Sequence, residues 1–378
     1  MWREGTFVAL WAELEADANL PKDSRVRKKR LIVALSSRLE EIVSTDKRYP
    51  DVPLAGLPRR KVHLDVAYND RKIYGLCPAY SEKTICCGLY TLDAVLGCPF
   101  DCSYCTIQTF YGERAELDGG LDEKLSKIAE DLDPGRFRHI GTGQSSDALV
   151  WGDAHGMLDS LIGFARDNPQ VLLELKTKSD RVAPIVDRDD VPKNVVCSWT
   201  LGPQAVIDNE EHGTVSLKAR LRAARATADR GLKVAFHLHP IVRYVGWREG
   251  YRRLAKDLLT QFSPEEILFF TCGTVTLIRP AIREIRRRGG ESKILQMPMT
   301  PDHHGKLTYP DASKIEMYSL VYEALSPWHD AVFFYLCMEQ RHIWEQSLGF
   351  CHATSDRFEE AFGEHFRRAL GIDVSGGA

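Results

Sequence analysis

Apolar positions along this chain follow two rhythms. Through residues 1–60 they recur at helical spacing, in LWAELEAD and again in RLIVALSSRLEEIV, until the Pro-rich stretch YPDVPLAGLPRR breaks the pattern. From about residue 90 short continuous apolar runs take over: TLDAVLG (91–97), RHIGTG (138–143), VLLELKT (171–177), NVVCSWTL (194–201), LKVAFHLH (232–239) and EILFFTCG (266–273). Between them lie the helical stretches LDEKLSKIAEDL, HGMLDSLIGFARDN, SLKARLRAARATADRG and WREGYRRLAKDLLTQF. Strands alternating with helices predict βα units and a parallel α/β sheet. Six units fall short of the eight of a closed barrel, so an open, partial (βα)6 barrel is expected. Further on, KILQMPMTPDHHGKLTYP reads as a loop or hairpin, DASKIEMYSLVYEAL as a helix and DAVFFYLCME as one more strand. The expected organisation is a helical N-terminal extension over 1–60, the barrel over 61–290, and a C-terminal extension over 291–378 that closes the barrel and lies near substrate.

Composition adds limits. The 378 residues are 44% apolar and 27% charged, ordinary for a globular protein able to bury a large core. No apolar run reaches the roughly 18 residues needed to cross a bilayer, and the start MWREGTFVALWAELEAD lacks a basic leader. A cytoplasmic protein with no membrane partner is expected, its thiols reduced, so a tight group of its ten cysteines points to metal or chemistry before disulfides. The net charge of −3 gives no global attraction to nucleic acid. Basic runs at 24–30, 59–61 and 279–288 read as solvated faces that permit, without establishing, a phosphate-binding surface.

The densest chemistry is GCPFDCSYCTIQ (97–108), with Cys98, Cys102 and Cys105 in eight residues. The stretch begins where the first barrel strand ends, at the C-terminal edge where α/β sites collect. Structural zinc takes four ligands in close pairs, and no paired knuckle follows here. Three thiolates on a four-iron cube would leave one iron free to chelate a small molecule. Cys197, Cys272 and Cys337 read as buried core thiols. Cys77, Cys86 and Cys87 have a spacing unlike any standard metal pattern.

The Cys-x3-Cys-x2-Cys spacing at this place on the fold resembles the radical S-adenosylmethionine (SAM) superfamily, which implies a radical SAM barrel, a [4Fe–4S] cluster on Cys98, Cys102 and Cys105, and SAM as cofactor. The same resemblance makes Ser146 in GTGQSSD (141–147), Lys178 in LKTKSD (175–180) and Thr200 in SWTLGP (198–203) the expected SAM contacts. HLHP (237–240) falls near the adenine or ribose, with only one of His237 and His239 expected to face inward. A reduced flavodoxin or ferredoxin-type protein is the implied electron donor.

Three longer segments sharpen this: GCPFDCSYCTIQT, the block running from TLGPQAVIDNEEHG through HLHPIVRYVGWREGY, and GKLTYP. Together they resemble the spore photoproduct lyase family over roughly residues 60–340. The resemblance implies a lyase acting on a thymine photoadduct in DNA: a radical removes hydrogen from thymine, the cross-link breaks, and a cysteine assisted by two tyrosines returns hydrogen. Tyr104 matches one tyrosine, but Thr106 stands at the second. The donor cysteine's position is Gln144, in Gln144-Ser145-Ser146-Asp147, and glutamine cannot give up hydrogen as a thiol can. Two enzymatic readings follow, a radical SAM enzyme on a DNA lesion and one on a small molecule, peptide or nucleotide. Lys306, Tyr309 and the basic run 279–288 would support the first. A non-catalytic metal-binding protein is the third reading, and it gains nothing from an open iron.

Overall fold

The computed structural model describes residues 4–17, 19–50, 61–287 and 292–372. Eight strands form its main sheet: β1 (Tyr74–Leu76), β2 (Tyr90–Leu92), β3 (Arg138–Thr142), β4 (Val171–Thr177), β5 (Val195–Thr200), β6 (Val234–Ile241), β7 (Ile267–Thr274) and β8 (Phe333–Leu336). They lie side by side in chain order, from β1 at one edge to β8 at the other. Every neighbouring pair is parallel except the β1–β2 pair. Strands β4 and β7 are buried on both faces, which is why VLLELKT and ILFFTCGT show no polar alternation. Helices Leu121–Glu130, Met157–Asp167, Leu217–Asp229 and Trp247–Gln261 fill the crossovers. The sheet is the expected partial barrel with one parallel strand more than six units supply, because DAVFFYLCME adds β8 beside β7.

Two elements depart from the pattern. TLDAVLG is not one strand: β2 ends at Leu92, and Val95–Leu96 leaves the sheet to pair with Arg114–Asp118. This break carries the chain to Gly97, whose φ of 88° is open to glycine; a Cβ there would stand 2.8 Å from the Arg114 carbonyl. The second is helix Ser355–Leu370, in a stretch where no element was expected. Its Phe358, Phe362 and Phe366, spaced by four, are fully buried. Phe362 packs within 6 Å of Phe137, His139, Phe269 and Phe333, at roughly 2–3 kcal/mol of burial per ring. Among these aromatics lies a polar knot. The buried Glu174 carboxylate accepts from His139 Nε2 at 2.8 Å, His237 Nε2 at 2.5 Å and Ser198 Oγ at 2.5 Å.

The N-terminal helices Glu4–Glu15 and Ser24–Ser44 form as expected, the second started by Asp23, whose carboxylate accepts from the Arg25 and Val26 amides. The break at 51–60 lies outside the described residues. Among the described residues no helix is long and apolar enough to cross a membrane.

Candidate active site

The loop from Gly97 to Cys105 is held from two sides. On one side, Asp101–Cys102 pairs antiparallel with Glu211–His212. The Ser103 amide donates to the Glu210 carbonyl at 2.7 Å, and the Ser103 hydroxyl donates to the Glu210 carboxylate. Glu210 is itself fixed by the Tyr49 hydroxyl and the Lys293 amide, each at 2.8 Å. The Tyr104 hydroxyl donates to Glu211, whose other oxygen lies 2.6 Å from the fully buried Arg220. Arg220 also donates to the Thr200 carbonyl at 2.8 Å and the Thr214 hydroxyl at 2.7 Å.

On the other side stands the turn after β3. The Gly97 amide donates to the Ser145 carbonyl at 3.0 Å, and the Ser146 hydroxyl donates to the Gly97 carbonyl at 2.6 Å while accepting from Trp151 Nε1 at 2.9 Å. Asp147 accepts from Thr177 Oγ1 at 2.7 Å and from the Lys178 amide at 2.6 Å, tying this turn to the end of β4. Gly143 has a φ of 86°, and a Cβ there would come within 2.5 Å of the Lys176 carbonyl.

Between the two turns opens a cavity of about 200 Å3. All three thiols line it, with Gln144, Ser146, Lys176, Lys178, Thr200 and His239. Burial pushes the Cys98 and Cys102 thiols well up, so they ionise only when something positive binds them. Lys178 lies near Cys102 and Cys105, its Nζ 5.8 Å from the centre of the Tyr104 ring. Burial works against its charge, but Glu211 and the neighbouring thiols outweigh that and raise its pKa. Among the described residues, no three Cys, His, Asp or Glu side chains are packed closely enough to hold a single metal ion. Three thiols spread round an open cavity, Cys102 buried and Cys98 and Cys105 half-buried, beside a cation and an αL glycine, suit a multi-iron cube with a small ligand better than one zinc ion.

The cavity thus unites six of the seven singled-out residues: the three cysteines, Ser146, Lys178 and Thr200. Tyr104 is not in its lining; its hydroxyl is spent on Glu211. Ser146 reaches the cavity, but its proton is committed to Gly97. His237 and His239 both face inward, against the expectation that one would not: two residues apart on a strand means the same face. His237 binds Glu174 and His239 lines the cavity, and burial lowers the pair to about 4 and about 3. Tyr309 is buried, so it cannot line a groove, whereas helix Arg279–Arg287 packs against the Ile107–Thr109 turn directly after Cys105 and exposes Arg279, Arg283 and Arg286. Cys197 and Cys272 are core thiols as expected; Cys337 is only half-buried. Sequence reasoning missed Glu210, Glu211 and Arg220, since buried charges in EEHGTVSLKAR read like any solvated helix end.

A partial barrel presenting three thiols from one loop at its C-terminal rim is the arrangement of the radical SAM superfamily. Within it, the family model for spore photoproduct lyase matches residues 82–309. The chain belongs to the spore photoproduct lyase family. A curated spore photoproduct lyase of a Geobacillus species is 27% identical over 220 residues, covering 54% of this chain and 62% of the relative. The chain therefore spans less than two thirds of that relative's length. Among solved structures, a spore photoproduct lyase complexed with dinucleoside spore photoproduct superposes with a TM-score of 0.61 at 21% identity, covering 72% of this chain and 82% of that one. A variant lyase with bound AdoMet and dinucleoside spore photoproduct gives 0.60 at 22%, with the same coverage. At these identities the likeness concerns the fold.

Proposed function

We propose that this chain is a radical SAM enzyme that abstracts hydrogen from a substrate docked over the Cys98–Cys105 loop. The observation that carries the reading is the cavity itself, three thiols of one loop facing a cationic lysine and a neutral imidazole. Cys98, Cys102 and Cys105 would hold a [4Fe–4S] cluster; Lys178 and Thr200 would take a carboxylate of SAM, and the Ser146 oxygen its ammonium. When bound, the pair supplies one-electron cleavage of the sulfonium, the source of a carbon radical, with a flavodoxin or ferredoxin-type protein as electron donor. Glu211 and Arg220 keep the loop in place, Asp147 fixes the start of the Lys178 segment, and His239 stays uncharged at the wall.

For substrate, the family and the arginines beside the cluster loop favour DNA carrying a pyrimidine photolesion. A specific observation favours a second reading, a small molecule, peptide or nucleotide: Gln144 faces the cavity where a thiol would return hydrogen, and Tyr104 is tied to Glu211. A non-catalytic metal-binding protein is the least favoured reading, since among the described residues no three Cys, His, Asp or Glu side chains are grouped to hold a single metal ion.

The test is anaerobic reconstitution, with iron and sulfide counted, followed by chromatography for 5′-deoxyadenosine after reduction. Four irons and SAM cleavage, both lost in Cys98→Ala, are expected; intact SAM under strong reductant sinks the proposal. Salt-dependent binding and turnover of irradiated oligonucleotides select DNA, whereas deuterium passing into 5′-deoxyadenosine from a labelled small molecule selects the second reading.

A further inference from the structure

Two helices present exposed cations and share one buried root beside the cavity. Helix Ser24–Ser44 opens with SRVRKKR, in which Arg25, Arg27, Lys28, Lys29 and Arg30 are all exposed. Spread over six residues of a 3.6-residue turn, these five point round the whole circumference of the helix. Among the described residues none of the five is ion-paired; the ion pair this helix does carry, Arg38–Glu41, lies about two turns further on. Asp23, the nearest carboxylate in sequence, is spent as the cap, accepting from the Arg25 and Val26 amides. Val26 and Val33 are exposed on one face, but Lys29 and Arg30 stand between them, so the face offers no apolar surface free of charge.

This end of the helix stands off the barrel. Leu10, Leu31 and Leu35 are buried in the seam with helix Glu4–Glu15 and take no part in the core that runs through the sheet. The pair is therefore an arm, and its root lies at the rim of the site. Arg243 Nε donates to the Asp46 carboxylate at 2.6 Å, and the Val245 amide donates to the Lys47 carbonyl at 3.0 Å, both just past the C-terminal end of β6. The Tyr49 hydroxyl donates to the buried Glu210 at 2.8 Å. Glu210 also accepts from the Ser103 hydroxyl and from the Lys293 amide, which follows helix Arg279–Arg287 in the chain. One carboxylate thus joins the arm, the Gly97–Cys105 loop and the segment that carries Arg279, Arg283 and Arg286.

We propose that the arm is a clamp for duplex DNA, in which Arg25, Arg27, Lys28 and Lys29 take the phosphate backbone on the flank of the site. The inference rests on the DNA reading of the proposed function and extends it from the lesion to the neighbouring duplex. The cations stand 14 to 19 residues from Ser44, about 21–28 Å along a helix. A duplex carries one charge about every 1.7 Å of axis and stays straight over about 150 base pairs. One seated at the rim between Arg279, Arg283 and Arg286 and the arm meets the five cations about 6–8 base pairs from the site. A single strand, being flexible, is not carried out to that distance. The arm lies outside residues 82–309, the part that the family model matches.

The experiment titrates the full, cluster-reconstituted chain with an irradiated duplex of about 24 base pairs, read by fluorescence anisotropy at several salt concentrations. The variant Arg27→Ala/Lys28→Ala/Lys29→Ala should bind at least about tenfold more weakly near 100 mM salt, with a log–log slope shallower by about 2–3. Its SAM cleavage should equal that of wild type. A charge-matched control, Arg252→Ala/Arg253→Ala/Lys256→Ala on the exposed side of helix Trp247–Gln261, should stay within about twofold of wild type. In the wild type, the duplex should shield Lys28 and Lys29 from acetylation, a measurement that stands even if the variant fails to fold. The clamp is overturned if the arm variant binds as wild type does, or if the control loses as much affinity. It is also overturned by full acetylation of both lysines on the duplex, by tighter binding of duplex RNA, or by a variant that changes only self-association. A chain that binds no iron yet loses duplex affinity in the arm variant refutes the proposed chemistry and keeps the clamp. SAM cleavage with unchanged duplex affinity does the reverse.

Discussion

Glu211 offers the sharpest test of how the Gly97–Cys105 loop is held. Its carboxylate accepts from Tyr104 and lies 2.6 Å from Arg220, which is wholly buried. Burial alone would raise the Glu211 pKa, but Arg220 and Lys178 outweigh it and hold the group ionised. Truncation to alanine leaves Arg220 as a buried cation with three uncharged acceptors, a defect that costs about 3–5 kcal/mol. The orphaned Tyr104 hydroxyl costs about 1–3 kcal/mol more, though the two share one partner and do not add fully. We expect a loss of about 4 kcal/mol, a large part of the roughly 5–15 kcal/mol typical of a folded protein. Glu211→Gln keeps an acceptor for Tyr104 but not the charge and should fall in between. Urea unfolding followed by tryptophan fluorescence at pH 7.5 measures each, and iron content after reconstitution reports on the loop. The double variant Glu211→Leu/Arg220→Met should recover most of the loss, because a buried ion pair is costly to break and cheap to replace with apolar groups. A loss under about 1 kcal/mol in Glu211→Ala, or a double variant as unstable as the sum of its parts, would refute the clamp.

Other outcomes follow from the same contacts. His237 and His239 fold with pKa values of about 4 and about 3, below the ordinary value near 6.5. The unfolded chain therefore binds more protons below pH 6.5, and stability present above that pH is lost as pH falls toward 4 and 3. Each should cost about 2 kcal/mol between pH 7.5 and 5, halved in His237→Asn, as read from urea midpoints. Ser146→Ala removes the donor to Gly97 and the acceptor of Trp151, and should cost about 1–3 kcal/mol and reduce iron retention on gel filtration. Gln144→Cys should leave SAM cleavage intact; appearance of photoproduct repair would assign the missing hydrogen return to that position. If DNA is the substrate, replacing Arg279, Arg283 and Arg286 by alanine should flatten the log–log salt dependence of binding by about 2–3.

What could be read in advance was whatever depended on local pattern. The strands from Arg138 to Thr274 were legible because each is buried on both faces and reads as an unbroken apolar run. The three cysteines were legible because they sit in one loop. Interactions across the sheet were not: nothing near Tyr104 in sequence indicates that Glu211 takes its hydroxyl, since the pair is 107 residues apart. The phenylalanines at 358, 362 and 366 did carry a helical signal, but their role beneath the barrel depends on which face β3, β7 and β8 turn inward.

The cavity's residues divide by whether their hydrogen bonds are already used. The Ser146 proton goes to Gly97, both oxygens of Asp147 go to the Thr177 hydroxyl and to backbone, and the Tyr104 hydroxyl goes to Glu211. These groups cannot turn toward a ligand without releasing the loop that presents the thiols. Substituting them should thus lower stability and cluster retention together. Gln144, Lys176, Thr200 and His239 face the same space with side chains that make no hydrogen bond to the scaffold, and Lys178 bears on it only through its charge on Glu211. Polar groups so placed gain most when a ligand completes them, so their substitution should change ligand affinity or product with little loss of fold. Chemistry differing from that of the family's lyases would be found in this second set. Gln144, where the family's thiol is missing, belongs to it, so a change of hydrogen donor leaves the scaffold around the cluster loop intact.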